Sequence, residues 1–253
     1  MLDTDALQLT VHEGIAHLTL NRPAKRNAIN TAQIEALDAA FRSLGEDIHA
    51  VLLTGAGEHF CAGLDLAENS VNQPVDVLRI SQRWHKVFHD LQFSGKPVVA
   101  VLQGGVIGGG LELALAAHVR VAERSAFFQL PEGRRGIFVG GGASVRVARI
   151  IGADRMTEMM LTGRRYTAEE GCRLGLAHYL AEPGDGLRLA TELARTIAQN
   201  SALSNWACIQ AVSRIHDMSM QDGLFTESLT AALLQSTPEA RERMEAFLTG
   251  KTR

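Results

Sequence analysis

Apolar positions alternate near the start of the chain. Leu7, Leu9 and Val11 are two apart, a His-Glu pair leads into Gly14, and Ile15, Leu18 and Leu20 follow, so two strands joined by a tight turn are predicted. Asn21-Arg22-Pro23 stops the second strand. Asn30 or Thr31 then stands where a helix cap belongs, ahead of Ile34, Leu37, Ala40, Phe41 and Leu44 at helical spacing, with Gly45 as the stop. Ala50 to Thr54 and Pro97 to Leu102 are short apolar runs that empty into Gly55-Ala56-Gly57 and Gly104-Gly105, the pattern of buried strands. Between them, Val77 to Phe93 carries Leu78, Trp84, Val87, Phe88 and Leu91 as an amphipathic helix, preceded by a mobile loop over Asn69 to Pro74.

A further helix is expected over Val145 to Ile151. From about residue 186 strand signals vanish, and Leu189, Leu193 and Ile197, then Trp206, Ile209 and Val212, then Leu224, Leu229 and Leu233, then Met244 and Phe247 predict successive helices. That tail is more apolar than a solvated appendage requires, which points to packing on the core or on another subunit. No repeat of fixed period is visible. The fold class is α/β.

Composition narrows the function. The 253 residues hold 25 Lys+Arg against 28 Asp+Glu, a net charge of −3, and this disfavours nucleic acid as a partner. Hydrophobic residues at 46% with charged residues at 21% suit a chain with a substantial core. Cys61, Cys172 and Cys208 are widely separated and odd in number, so a reducing compartment fits better than a disulfide framework. Met1 to Thr10 has two aspartates and no basic cluster, unlike a signal or transit peptide, and no run reaches the roughly 20 apolar residues of a membrane span. A soluble cytoplasmic protein is expected, without a membrane partner.

The densest chemistry lies in Gly104-Gly105-Val106-Ile107-Gly108-Gly109-Gly110-Leu111-Glu112-Leu113, with five glycines in seven residues before a helix former and a carboxylate. Glycines let a ligand approach the main chain, and the free N–H groups of a helix start can hold a developing oxyanion. The same pattern also suits a tight strand-to-helix turn with close packing. The bunched glycines do not match a dinucleotide fingerprint, and Gly250-Lys251-Thr252 lacks the spacing of a phosphate loop. A second carboxylate, Glu132, sits in Pro131-Glu132-Gly133-Arg134-Arg135-Gly136, ahead of Val139-Gly140-Gly141-Gly142. Two carboxylates can divide acid and base work if their surroundings separate their protonation states; a surface glutamate paired with Arg134 or Arg135 is the alternative. Phe60-Cys61-Ala62-Gly63-Leu64-Asp65-Leu66 adds a small-residue turn able to present one more N–H.

In order, Asn21-Arg22-Pro23 with Asn27-Ala28, the Ala62-Gly63-x-Asp65-Leu66 turn, Gly108-Gly109-Gly110-Leu111-Glu112-Leu113, and Pro131-Glu132 with Gly140-Gly141-Gly142 resemble the motifs of the crotonase (enoyl-CoA hydratase/isomerase) superfamily. Leu161-Thr162-Gly163 and Gly175-Leu176-Ala177 extend the match over nearly the whole chain. The resemblance implies a spiral of ββα units as the catalytic core, residues 1–195, and a helical C-terminal region, residues 196–253, that builds homotrimers, usually paired into hexamers. The implied substrate is an acyl-CoA thioester, with coenzyme A as part of the substrate and neither a separate cofactor nor a metal. It further implies that the N–H groups of Leu64 and Gly109 form the oxyanion hole, that Ala28, Ala62, Asp65 and Leu66 lie in the segments gripping CoA, and that Lys251 is placed for a phosphate. Glu112 would deprotonate water and Glu132 would protonate C2, giving 3-hydroxyacyl-CoA from a 2-enoyl-CoA.

Alternatives on the same resemblance are hydration followed by cleavage or thioester hydrolysis, double-bond isomerisation, and non-catalytic acyl-CoA binding. The Pro131 to Gly142 run and the tail from Ala198 to Ser228 are also similar to the methylthioacryloyl-CoA hydratase branch. Leu130, Arg134-Arg135 and Val139 depart from the usual hydratase pattern, implying an atypical acyl pocket. His85 and His89, four apart on a helix, are assigned no metal. Cys61 reads as a small core residue, and Trp84, Phe88 and Leu91 as either core or acyl-pocket wall.

Overall fold

The computed structural model describes residues 6–68 and 73–250; Lys251 and the stretch 69–72 of the expected loop lie outside them. Strands β1 (Leu7–His12) and β2 (Ile15–Leu20) form the expected hairpin, and its turn places both Glu13 and Gly14 at positive φ. Helix α1 (Thr31–Ser43) is capped by Asn30, whose side chain accepts the Gln33 N–H at 3.0 Å. After β3 (Ala50–Gly55), helix α2 runs from Pro74 to Phe93. Pro74 belongs to the helix rather than to the loop, because a first-turn position needs no intrahelical N–H. Leu78 is exposed, off the stripe of Trp84, Val87, Phe88 and Leu91 that α2 buries.

Next come β4 (Val98–Leu102), β5 (Gly105–Ile107), α3 (Gly109–Ala114), β6 (Val119–Glu123) and β7 (Phe127–Gln129), followed by a 3₁₀ turn over Glu132–Arg135. Helices α4 (Ala143–Ile151) and α5 (Ala153–Thr162), strand β8 (Tyr166–Thr167), helix α6 (Ala168–Leu174) and strand β9 (Tyr179–Ala181) complete the core. The large sheet has the order β1-β2-β3-β4-β6-β9, parallel throughout except for the hairpin, and the small one the order β5-β7-β8. Each turn therefore deposits one strand in each sheet and then a helix: β4, β5 and α3, then β6, β7 and α4. Among the described residues, the segment after β3 joins the small sheet only through a bridge between Cys61 and Val106.

Both faces of the large sheet are covered. Leu18, Leu53, Ala100 and Leu102 face the main core, while Ala50, Leu52, Val99 and Val101 pack under α7 (Gly186–Ala198) through Ala190 and Ala194. Double burial is why β3 and β4 read as unbroken apolar runs instead of alternating.

The tail forms α8 (Ala202–Ile215), α9 (Met220–Gln235) and α10 (Pro238–Leu248), as the periodicity predicts. Gln210 Nε2 donates to the Phe93 carbonyl at 2.7 Å and the Arg214 guanidinium lies 4.3 Å above the Phe93 ring, which docks α8 on α2. Within this chain the expected apolar stripe buries only Ile209 of its α8–α10 members; Trp206, Val212, Leu224, Leu229, Leu233, Met244 and Phe247 stay exposed. No described helix is long and apolar enough to cross a membrane.

Candidate active site

A cavity of about 220 Å³ opens between α2, the start of α3 and the 131–141 segment. Its wall includes Ala62, Leu64, Leu66, Trp84, Gly109, Glu112 and Glu132, so the structure gathers six of the sequence-predicted site residues, the two glutamates among them. Of the remaining two within the described residues, Ala28 is not part of the wall, and Asp65 faces Arg22 instead. Arg22 Nη2 binds the Asp65 carboxylate at 2.9 Å, and the Arg22 hydrogen bond holds the Asp65 carboxyl below the usual carboxylate range. Another Arg22 nitrogen donates to the Ala28 carbonyl. The pair thus ties the 22–28 segment to the 61–67 turn. Asn27, at φ +55, completes that tie by donating to the carbonyls of Ala56 and His59 while accepting the Arg22 N–H.

Backbone geometry at the glycines follows from close approach. Gly63, at φ +86, lies so near the next loop that a Cβ on it would stand 2.7 Å from the Ile107 carbonyl oxygen and 2.9 Å from the Gly109 nitrogen. Ile29 donates to the Gly63 carbonyl and accepts from the Asp65 N–H, which turns the intervening Leu64 N–H away from that pairing. Among the described residues neither the Leu64 nor the Gly109 N–H has an acceptor, and both residues line the cavity. Gly109 is the first residue of α3, where N–H groups lack intrahelical partners and face outward with the positive end of the helix dipole.

Glu112 is 2% exposed, on the first turn of α3. Its Oε1 accepts the Gly141 N–H at 2.8 Å and the Ala143 N–H at 2.9 Å, so the side chain caps the start of α4. Burial raises the Glu112 pKa, against the pull of those two donors and, more weakly, of His85 and Arg146. Arg146 Nη1 donates to the Gly141 carbonyl at 3.3 Å and its Nε to Gln92 Oε1 at 2.9 Å, holding the peptide that follows Gly141.

Glu132 is 8% exposed, and its Oε2 is buried without a hydrogen-bond partner. Burial pushes its carboxyl up to about 7; its own N–H opposes this, the Glu112 charge adds to it and Arg135 opposes it. The two carboxyls therefore share one cavity in contrasting settings. One has two fixed donors, and the other has a buried oxygen without a hydrogen-bond partner.

A model of the enoyl-CoA hydratase/isomerase family matches residues 10–252. The chain belongs to that family. It is 31% identical over 237 residues to the short-chain-enoyl-CoA hydratase of Clostridium acetobutylicum, spanning 92% of this chain and 91% of the relative. With the 2,3-dehydroadipyl-CoA hydratase of Escherichia coli it shares 34% over 239 residues, 93% and 92% of the two chains. A crystal structure of a provisionally named enoyl-CoA hydratase from Rhodopseudomonas palustris superposes with a TM-score of 0.95 at 48% identity, covering 97% of this chain and 95% of that one. The spiral architecture is accordingly that of the crotonase superfamily, and the resemblance read from the motifs holds.

Several features of this family member were beyond the motifs. Ser81, Ile80, Val77 and Phe138 line the cavity, and the Ser81 hydroxyl donates to the Gly140 carbonyl at 2.7 Å, tying α2 to the glycine loop. Only the helical periodicity from Val77 to Trp84 could have signalled the α2 wall. Trp84 lines the cavity, Phe88 backs it 5.5 Å away between ring centroids, and Leu91 is core. Cys61 is fully buried, donates to the Asn27 carbonyl and has its thiol pushed up to about 12 by burial, which suits a core residue and not a thiolate nucleophile. His85 and His89 are both exposed.

Proposed function

We propose that the protein is an enoyl-CoA hydratase that adds water across the C2=C3 bond of a 2-enoyl-CoA thioester to give the 3-hydroxyacyl-CoA. The observation that carries this reading is the pairing of Glu112, locked by two N–H donors, with Glu132, whose buried Oε2 is unsatisfied, on the wall that also presents the unpaired N–H groups of Leu64 and Gly109.

The thioester carbonyl is held by the Leu64 and Gly109 N–H groups, which stabilise the enolate charge that forms as C3 is attacked. Glu112, oriented by its two N–H donors, acts in its anionic form: it positions water and takes its proton while the oxygen bonds to C3. Glu132, kept protonated by burial, gives its proton to C2. Net, one H and one OH are added, and the cycle closes when the proton on Glu112 passes to Glu132 through the next water. Coenzyme A enters as part of the substrate, its nucleotide side held by the 22–28 and 61–67 segments that Arg22 and Asp65 fasten together. Isomerisation needs only one mobile proton, and the two-donor anchoring of Glu112 favours hydration over it.

The exposed apolar residues of α9 and α10, among them Leu224, Phe225, Leu229 and Phe247, support assembly into a homotrimer, paired into a hexamer. Incubation with crotonyl-CoA tests the activity. A mass gain of one water with CoA still attached, lost in Glu112→Ala, is the expected result; a shifted double bond without mass change would replace hydration by isomerisation.

A further inference from the structure

Arg134 and Arg135 part company in the structure. The Arg134 guanidinium turns to the Thr162 carbonyl, 2.6 Å away, and lies over Gly163, outside the cavity. Arg135 lines the cavity with Glu132. The cause is the 3₁₀ turn Glu132–Arg135, in which residues three apart eclipse, so Arg135 stands on the same face as Glu132 and roughly 6 Å further along the axis.

Arg135 forms no ion pair with any described carboxylate; its guanidinium meets the Pro131 carbonyl at 3.3 Å, and its influence on Glu132 is weaker than that of burial. The surrounding wall is apolar, with Leu66, Val77, Ile80, Ile137 and Phe138. Arg135 is itself exposed, so its guanidinium stands at the open rim of the cavity, where a plain alkyl chain has no group to answer it. A carboxylate at the end of the acyl chain would meet the planar fork with two charge-assisted hydrogen bonds.

We propose that Arg135 selects 2-enoyl-CoA substrates whose short acyl chain ends in a carboxylate. The proposal rests on the hydratase reading of the same cavity and adds a substrate class to it.

The test compares two six-carbon 2-enoyl-CoA thioesters, one ending in a methyl group and one in a carboxylate, with wild type, Arg135→Leu and Arg135→Lys. In wild type, kcat/KM for the carboxylate-ended thioester exceeds the other by roughly tenfold or more, as for a hydrogen bond between charged groups. Arg135→Leu collapses that ratio, and Arg135→Lys keeps part of it. An unchanged ratio in Arg135→Leu overturns the proposal, as does an equal loss for both thioesters, which would assign Arg135 to the CoA part they share. If wild type hydrates neither, the hydratase reading fails by itself. Calorimetric binding of the saturated six-carbon thioesters, with and without the terminal carboxylate, then still decides whether Arg135 recognises that group.

Discussion

Glu112 Oε1 accepts the Gly141 N–H at 2.8 Å, and a Cβ added to Gly141 would stand 2.6 Å from Glu112 Oε2 and 3.1 Å from the Phe88 ring. Both oxygens of the Glu112 carboxylate thus lie against the single residue Gly141. Gly141→Ala is expected to push the carboxylate aside and lower kcat about 100-fold, the scale of an ångström-level misplacement. Steady-state kinetics beside a thermal melt checks this; an unaltered kcat would mean that Glu112 does not need its present position.

Glu112→Gln and Glu132→Gln should each reduce hydration about 10²–10⁴-fold, the usual worth of positioned acid-base groups. Circular dichroism should remain native for Glu132→Gln, whose replacement keeps the shape. Near wild-type turnover in either variant would remove that residue from the mechanism.

On the proposed mechanism protonated Glu132 is the acid, so kcat/KM should fall as pH rises through about 7, with the apparent value belonging to the Glu112–Glu132 pair. Stability follows the same sign. The folded-state pKa lies above the unfolded one, so the folded protein binds the extra proton, and stability is lost between roughly pH 4.5 and 7 as pH rises. Melting curves across that window should show a shallower decline in Glu132→Gln than in wild type; parallel declines would place the titration elsewhere.

Asp65→Asn should cost roughly 1.5–3 kcal/mol by releasing Arg22 from a charged hydrogen bond. Because the Asp65 pKa is lowered, its contribution is present above the unfolded carboxyl value near 4 and disappears as pH falls through the lower folded value. If the pair fastens the CoA-binding segments, KM rises more than kcat falls. A loss confined to kcat would count against that role.

Gly63→Ala meets two obstacles, a positive φ and the backbone of the 107–109 loop, whereas Gly184→Ala meets the positive φ alone, with nothing within 4 Å. The first should lose activity and about 2 kcal/mol or more of stability, the second about 1 kcal/mol. Equal melting shifts would show that the close approach of the two loops is not tight.

Much of this was legible because it depends on local rules. The Glu13-Gly14 turn, the Asn30 cap, the doubly buried β3 and β4, and the four C-terminal helices all announce themselves through spacing, caps or glycines. The three-residue strands β5 and β7 do not. Gly105 carries no strand propensity, and Phe127 to Gln129 is too short to establish a period, so only pairing with a neighbour makes them strands. At the site, the motifs located the glutamates and the glycine turns. They could not disclose that Asp65 is spent on Arg22, that Glu112 caps a helix 31 residues away, or that adjacent arginines diverge, since each depends on contacts distant in sequence. The exposure of Trp206, Leu224 and Phe247 was equally hidden: periodicity identifies an apolar face without saying whether the same chain covers it.

The ββα spiral sets the gauge of the chemistry. Glu112 follows β5 and Glu132 follows β7, and these strands are parallel neighbours, with Ile107 opposite Gln129 and the Gly108 N–H on the Gln129 carbonyl at 2.9 Å. The segments that carry the two glutamates therefore leave strand ends one strand spacing apart, about 4.8 Å, a constant of backbone hydrogen bonding that side-chain substitutions hardly alter. The cavity wall on α2 and in the 135–139 stretch hangs outside that frame. Chains of this architecture can be refitted for new ligands by changing the wall while the strand ends before the two glutamates stay ruled by the sheet.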